Sequence, residues 1–512
     1  MKKTRRIVIF SLILSLIFSI IGFAETNEIN IIKIGLQYTA ADNNTIKPLV
    51  PIKGNTAFEL GELVNDQYVT LVQLPQITQF SFDKDNGYHA VVGPYATYEE
   101  AYALIGQVTG GFVVKSENYY VYSTSSDQST AQAETTRLAS GGYPAVLNTP
   151  NANLVVIKNG NFLLGFDSSV GDYIMAPIGA GLKNSYSYFG DVPYRGGFGA
   201  KRVNTNDITL INYIQMDEYL YGVVPCEMNK SWPVEALKAQ AIVARNFAVV
   251  NINKFSHYGF NLDDTTNSQV YGGYKWEGPL SNQAVDETRG LTLKHETTLV
   301  NAFYHSNSGG FTENSENVYT APLPYIKGVY DPFSIGAPND TWSLEYSKSF
   351  IENRLIELGY NIGSLKNFYV SEYTDQNRVY KAIFIGTNDH AILSKQDIRK
   401  AFGYNEIKST LLKVVPDNSL VVTDGTEFIE KSPTTLTVIS GDGTVSTVSS
   451  DVYVSDGNKT SKIPNVASKY VINGKGWGHG LGMSQWGAKN MAEQGFEFEQ
   501  ILTFYYTDTH IE

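Results

Sequence analysis

One carboxylate of this chain lies in a stretch whose pattern suits acid/base chemistry. Glu227 ends an apolar run and comes shortly before an Ala-rich segment, 234–249, that is predicted as a helix. Ser231 is the predicted N-cap, and Pro233 is placed near the first turn. A carboxylate held in apolar surroundings near a helix N-terminus can transfer protons. On spacing alone, the favoured interpretation is a carboxylate that only complements the helix dipole.

Two further segments, 301–319 and 474–488, are rich in Gly and Ser, and each contains a histidine and other polar side chains. Such loops can bind a ligand, although their polar side chains can also serve local structure. The glycines at 309–310 and at alternate positions from Gly476 to Gly482 predict positive φ angles or close backbone approach. Trp232, Trp477 and Trp486 suit either sugar stacking or the core.

The segments 219–248, 301–319 and 474–488 resemble, in the same order, the core motifs of the SpoIID/LytB family of bacterial cell-wall proteins. Smaller similarities occur at 264–272, 324–329 and 408–410. Around these segments, the resemblance extends from about Tyr194 to the C-terminus.

This resemblance implies a peptidoglycan lytic transglycosylase with Glu227 as its catalytic acid/base. It also implies a second class of function, a non-catalytic wall-binding enhancer of an N-acetylmuramoyl-L-alanine amidase; the presence of Glu227, Lys238 and Arg245 favours the enzyme. The expected partners are peptidoglycan glycan strands and an amidase or a sporulation complex. The residues predicted to bind substrate are Lys238, Gln240, Arg245, Tyr271, His305, Ser306, Ser308, His479 and Gln485.

Charge and cysteine content exclude several other functions. The net charge is -12, and it becomes -16 without residues 1–24, which contain four basic residues and no acidic one. Such an acidic chain is a poor ligand for nucleic acid. The single cysteine, Cys226, allows no internal disulfide and no Cys-rich zinc site, so neither metal nor cofactor is expected. A thiol nucleophile with His305 or His479 as its base is the less favoured alternative, because no thiolate-stabilising pattern surrounds Cys226.

The N-terminus predicts export. A basic start precedes a mostly apolar run, 7–23, and Gly22-Phe23-Ala24 forms a small-x-small site before Glu25. Residues 1–24 are therefore predicted as a signal peptide of a secreted or cell-wall-associated protein. A retained N-terminal membrane anchor is the alternative.

The remaining chain predicts an α+β protein. Residues 25–85 are β-rich, and 151–512 form the SpoIID/LytB core with β-hairpins inserted near 423–466. Between them, 86–150 predicts the order βαββαβ. This order and the sequence Val-Val-Gly-Pro-Tyr resemble a SPOR domain, a module that binds glycan stripped of its peptides, while a generic α+β insertion fits as well.

Overall fold

The computed structural model describes residues 30–39, 51–124, 126–203, 207–319, 321–423, 425–426, 428–431, 433, 436–448, 450–455 and 457–512. These residues form an α+β structure, as predicted. The predicted signal peptide lies outside them. No helix in the described ranges is both long and apolar enough to cross a membrane.

Two large sheets organise the first half of the chain. A seven-stranded sheet contains, in sheet order, Leu262–Asp263, Ile31–Gln37, Asp207–Gln215, Gly197–Val203, Tyr173–Pro177, Phe58–Val64 and Gln67–Leu74. A ten-stranded sheet contains Val192–Arg195, Tyr186–Phe189, Ile52–Gly54, Gln79–Lys84, Leu154–Asn159, Asn161–Asp167, Phe112–Lys115, Tyr119–Tyr122, His89–Tyr95 and Ala145–Asn148. Strands from before and after residues 86–150 pair in both sheets, so the N-terminal β-rich segment is built into the core.

The segment 86–150 has the element order that the sequence predicts. Its strands and helices follow one another as His89–Tyr95, Tyr98–Tyr102, Phe112–Lys115, Tyr119–Tyr122, Gln128–Ser140 and Ala145–Asn148. Phe112–Lys115 also pairs in parallel with Asn161–Asp167, which joins the segment to the larger sheet. Its resemblance to a SPOR domain stays a prediction.

The helices of the described residues are α1 Tyr98–Tyr102, α2 Gln128–Ser140, α3 Met216–Glu227, α4 Val234–Val250, α5 Pro279–Glu287, α6 Ser315–Val318, α7 Lys348–Glu357, α8 Asp397–Phe402, α9 Gln485–Glu493 and α10 Phe498–Tyr505. Short 3-10 helices occur at Ile105–Gln107, Ser256–Tyr258, Tyr274–Trp276 and Pro332–Ser334. Helix α4 packs against α3, α5, α9 and α10. Its alanines, among them Ala236, Ala239 and Ala244, are fully buried, and their small side chains let these helices approach closely.

Small sheets complete the second half. Tyr304–His305 pairs in parallel with Met483–Ser484, which joins two of the predicted motifs directly. The other groups are Thr298–Leu299, Leu293–His295 and Thr509–Ile511; Thr341–Ser347, Lys469–Lys475 and Leu412–Pro416; and Leu365–Tyr373, Val379–Gly386 and His390–Ser394. The last two groups surround a hydrophobic core of their own. The predicted hairpin insertion contains Leu420–Thr423 with Phe428–Lys431, Thr437–Ile439 with Val445–Thr447, and Val452–Ser455 with Thr460–Ile463.

Candidate acid/base site

Glu227 is the last residue of α3 and precedes α4, which begins at Val234, as the sequence predicts. Pro225 lies in the last turn of α3, where proline interferes with further helical hydrogen bonding. The predicted N-cap is wrong. Pro233 occupies that position in α4 without a side-chain cap, and the Ser231 amide instead donates to Asn229 Oδ1 at 2.9 Å.

The Glu227 carboxyl group receives hydrogen bonds from three neutral donors. The amide of Val270 donates to Oε1 at 3.1 Å, and Gln485 Nε2 lies 3.5 Å from Oε2. The hydroxyl of Tyr304 is the third donor. Burial nevertheless raises the pKa of Glu227 above its usual value, because desolvation outweighs these bonds, which favour the charged form. A raised pKa favours the protonated form of this carboxyl group, the form that a general acid requires.

A short chain of hydrogen bonds orients the Tyr304 hydroxyl. Tyr219 in α3 donates to Gln269 Oε1 at 3.3 Å, and Gln269 Nε2 donates to the Tyr304 oxygen at 3.1 Å. Since that amide donates, the Tyr304 hydrogen is left to point toward Glu227. Tyr219, Gln269 and Tyr304 thus position the carboxyl group from behind.

Glu227 opens into a pocket of about 330 Å³. The residues lining it are Glu227, Phe247, Lys254, Thr266, Asn267, Ser268, Val270, Phe303, Tyr304, Tyr319 and His479. Glu227 is the only carboxylic acid among these lining residues of the described chain. Aromatic rings, hydroxyl and amide groups around a single acid suit a neutral, hydroxyl-rich ligand.

Two predicted substrate-binding residues, Gln240 and Gln485, meet behind the carboxyl group. Gln485 begins α9 after Ser484, whose hydroxyl caps the helix by accepting from the Gly487 amide. Gln485 Nε2 lies 3.5 Å from both Glu227 Oε2 and Gln240 Oε1. Gln240 is fully buried in α4. The geometry therefore gives both glutamines a part in orienting Glu227.

His479 lines the pocket, whereas His305 lies behind it with 5% of its surface exposed. Their ring centroids are 5.6 Å apart. His479 Nδ1 accepts from the Leu481 amide at 2.9 Å, and burial lowers its pKa to about 3, with Arg399 and Arg378 adding to the effect. Burial also lowers the pKa of His305 well below its usual value. Both rings are therefore neutral near pH 7. With Nδ1 accepting from Leu481, the other ring nitrogen of His479 donates to the Tyr304 carbonyl, so this histidine braces the pocket wall.

The other predicted substrate-binding residues do not line this pocket. Lys238 forms ion pairs with Glu235 and Glu287, both at 2.8 Å, and Arg245 pairs with Asp217 at 3.0 Å. Each cation is thus already neutralised by a carboxylate of a neighbouring turn or helix. Their contacts fit a structural role in joining α3, α4 and α5.

Tyr271, Ser306 and Ser308 likewise have partners within the fold. The buried Tyr271 hydroxyl donates to Asn212 Oδ1 at 3.0 Å, and the Ser308 hydroxyl donates to Asp331 Oδ2 at 2.7 Å. The carbonyl of Ser306 accepts from the Trp486 amide at 3.0 Å. Trp232 and Trp486 pack on each other with ring centroids 4.7 Å apart.

Sequence reasoning missed several residues of the site, chiefly Tyr304, Gln269 and the amide of Val270. The segments that contain them, 264–272 and 301–319, carry the family resemblance. The pattern alone did not show which side chains turn toward Glu227, because these contacts join residues more than 30 positions apart.

Cys226 is adjacent to Glu227 but unsuited to nucleophilic attack. Burial raises the pKa of its thiol to about 11, which disfavours the reactive thiolate. Among the described residues, no group of three or more His, Cys, Asp or Glu side chains is arranged to hold a metal ion.

We therefore expect any glycan-cleaving activity to survive both EDTA and the substitution Cys226→Ser. The measurement is the rate of product release from purified peptidoglycan, with melting curves as a check of folding. Loss of activity on chelation that zinc restores would reveal a metal site.

Tyr304→Phe should shift the pH profile of cleavage. For any cleavage in which Glu227 donates the proton, kcat/KM falls as the pH rises through the elevated pKa of this residue. Removing a hydrogen bond to the charged form raises the pKa further, and the basic limb should move up by about one pH unit. Tyr319→Phe, in the same pocket, is the control and should leave the limb in place. An unmoved limb in Tyr304→Phe would show that its hydroxyl does not act on Glu227.

The α+β fold and the single acid among the residues lining this pocket define a protein with a candidate acid/base pocket. Residues 204–295 match the SpoIID family model, described as Stage II sporulation protein. This domain and the relatives below support the resemblance to the SpoIID/LytB family that the motifs predict.

Two relatives from Bacillus subtilis (strain 168) show the extent of the similarity. The chain is 33% identical over 300 residues to "Amidase enhancer". The aligned region covers 57% of this chain but only 40% of that protein. The chain is 27% identical over 317 residues to "Stage II sporulation protein D". That aligned region covers 59% of this chain and 75% of the other protein.

Proposed function

We propose that this protein is a lytic transglycosylase that cleaves the glycan strands of peptidoglycan. The observation that carries the proposal is the carboxyl group of Glu227, the single acid among the lining residues of this pocket, with a raised pKa and three neutral hydrogen-bond donors. Glycoside hydrolases usually require two carboxyl groups about 5–9.5 Å apart. Among the described residues that line the pocket, only Glu227 has a carboxyl group. This favours a mechanism in which the same residue acts first as the acid and then as the base.

In this mechanism Glu227 first donates its proton to the oxygen of the scissile glycosidic bond. The bond from that oxygen to C1 breaks, and the leaving sugar departs with the proton as a new hydroxyl group. The Glu227 carboxylate then accepts the proton of the 6-hydroxyl of the sugar that remains, and O6 bonds to C1. This step restores the acid and yields a 1,6-anhydro sugar without consuming water.

Mass spectrometry of the digestion products tests the proposal. Wild-type protein incubated with purified peptidoglycan, both intact and stripped of stem peptides, should release muropeptides with 1,6-anhydro ends. These products are lighter by one water than hydrolytic ones. Hydrolytic products, or none with either substrate, would contradict the proposal.

A second candidate function is enhancement of a separate amidase without glycan cleavage. The 33% identity to a protein named amidase enhancer favours it, although the alignment covers 40% of that protein. In that case the protein would increase amide cleavage by an N-acetylmuramoyl-L-alanine amidase on intact wall. The Glu227→Gln variant would then stimulate the amidase as well as the wild-type protein does.

We further propose that the protein acts outside the cytoplasm on the cell wall, as the apolar run at 7–23 suggests. The segment 86–150 would help it to hold peptide-stripped glycan there. Pelleting of the protein with peptidoglycan should then increase after the wall is treated with amidase. Equal pelleting with treated and untreated wall would contradict this role of the segment.

A further inference from the structure

A larger cavity of about 990 Å³ lies apart from the Glu227 pocket and shares no lining residue with it. It lies where the loops following Gly309 and Tyr330 meet the sheet that contains Thr341–Ser347 and Lys469–Lys475. Its size is at the upper end of the range for ligand sites.

Aromatic side chains are exposed around this cavity. Tyr330 is 57% exposed, Tyr373 is 42% exposed and Phe311 is 38% exposed. The rings of Phe311 and Tyr330 are 5.0 Å apart at their centroids, and their backbones form an isolated bridge. Trp342 is fixed beside them because its indole N–H donates to the Gly476 carbonyl at 2.9 Å. The cavity therefore offers preformed aromatic surfaces, against which the C–H face of a sugar ring can bury apolar area.

Polar groups in the lining suit the remaining parts of a sugar. Gln376, Asn377 and Asn473 provide carboxamides, which both donate and accept hydrogen bonds. Gln376 Oε1 is buried and has no hydrogen-bond partner among the described residues. Asp340 together with Lys413 and Lys475 leaves the lining nearly neutral in charge, which favours an uncharged ligand over an acidic one.

The cavity is also close to the Glu227 pocket along the chain. Tyr304 lines the smaller pocket, and Gly309 lines the larger cavity. Five residues of extended chain span at most about 18 Å, so both sites lie within a distance that a glycan strand can cover.

We infer that this cavity is a second carbohydrate-binding site that holds a neutral, N-acetylated glycan away from the reacting bond. The ligand class rests on the proposed function, but the site does not require that Glu227 cleave anything. Binding there would add affinity for long strands without taking part in the chemistry.

The test uses the full protein carrying Glu227→Gln, to prevent turnover, and chitotetraose, a tetramer of N-acetylglucosamine, as the probe. Tyr330→Ala and Tyr373→Ala should each weaken the calorimetric affinity by about tenfold, the usual effect of removing an aromatic anchor. Tyr453→Ala is the matched control, since Tyr453 is 66% exposed on a hairpin outside the cavity, and it should bind normally. Trp342→Phe should remove a change in tryptophan fluorescence on binding.

Unchanged affinity in both cavity variants, with folding verified by melting curves, would overturn the inference, and so would absence of chitotetraose binding. Preference for an acidic stem peptide at this cavity would also overturn it. Because binding is measured without turnover, a protein that binds the tetramer here but releases no anhydro sugar would refute the proposed function alone. Release of anhydro sugar by a wild type whose cavity binds no tetramer would refute the inference alone.

Discussion

Glu227→Gln is expected to lower the rate of glycan cleavage by about 10²–10⁴-fold, the usual contribution of a general acid/base group. Glutamine keeps the size of the side chain and its carbonyl oxygen can still accept from the Val270 amide, but it cannot release and recover the proton. The measurement is the release of anhydro-muropeptides under single-turnover conditions. Binding of the variant to glycan, followed by pelleting, should persist because the pocket keeps its shape.

Glu235→Gln provides the matched control for this substitution. Glu235 lies in α4, pairs with Lys238 and accepts from the Phe498 amide at 3.1 Å, outside the pocket. Its variant should cleave at close to the wild-type rate. Anhydro products released by Glu227→Gln at the wild-type rate would exclude the proposed mechanism.

The charge distribution around Glu227 explains why the pKa of this carboxyl group is raised. Lys238 and Arg245 are near in sequence, and pairing of either with Glu227 would lower its pKa. The fold instead directs them to Glu235, Glu287 and Asp217. No cation forms an ion pair with Glu227 in the described part of the chain, so desolvation determines the direction of its pKa shift.

The sequence predicts α4 well and fails for α3, for a physical reason. Residues 234–249 are rich in alanine, and the observed helix is Val234–Val250. Residues 216–227 contain Gly222 and Pro225, both poor helix formers, so local propensity does not indicate a helix there. The structure shows why Gly222 is present: a Cβ at this position would overlap the ring of Tyr271. Tertiary packing thus overrides propensity and places Glu227 at a helix C-terminus.

Glycine positions were more predictable than hydrogen-bond partners. The expected positive φ angles are observed at Gly309 and Gly310 and at alternate residues from Gly476 to Gly482. Such angles follow from local sequence, since few other residues adopt them. The hydrogen bond from Gln269 to Tyr304 depends instead on how distant loops pack against each other. The hydrophobic periodicity of the sequence does not predict that packing.

Gly482→Ala is expected to destabilise the protein strongly and to reduce cleavage with it. Gly482 has a φ of 62°, and a Cβ there would overlap the carbonyl oxygen of Phe303, a backbone atom that cannot turn away. Phe303 precedes the strand Tyr304–His305, whose pairing with Met483–Ser484 places Tyr304 beside Glu227. Relieving the overlap must shift this pair, so stability should fall by several kcal/mol, on the order of the largest effects of single substitutions.

Gly336→Ala separates backbone strain from this overlap. Gly336 has a φ of 80°, and a Cβ there would meet nothing within 4 Å. Its variant should lose only about 1–2 kcal/mol, the cost of a left-handed conformation for alanine, and should keep its activity. Denaturant unfolding followed by tryptophan fluorescence measures both losses. Equal destabilisation by the two substitutions would contradict this prediction. It would show that the strand pair beside Glu227 tolerates displacement, and that the close approach of Gly482 to the Phe303 carbonyl does not hold the site together.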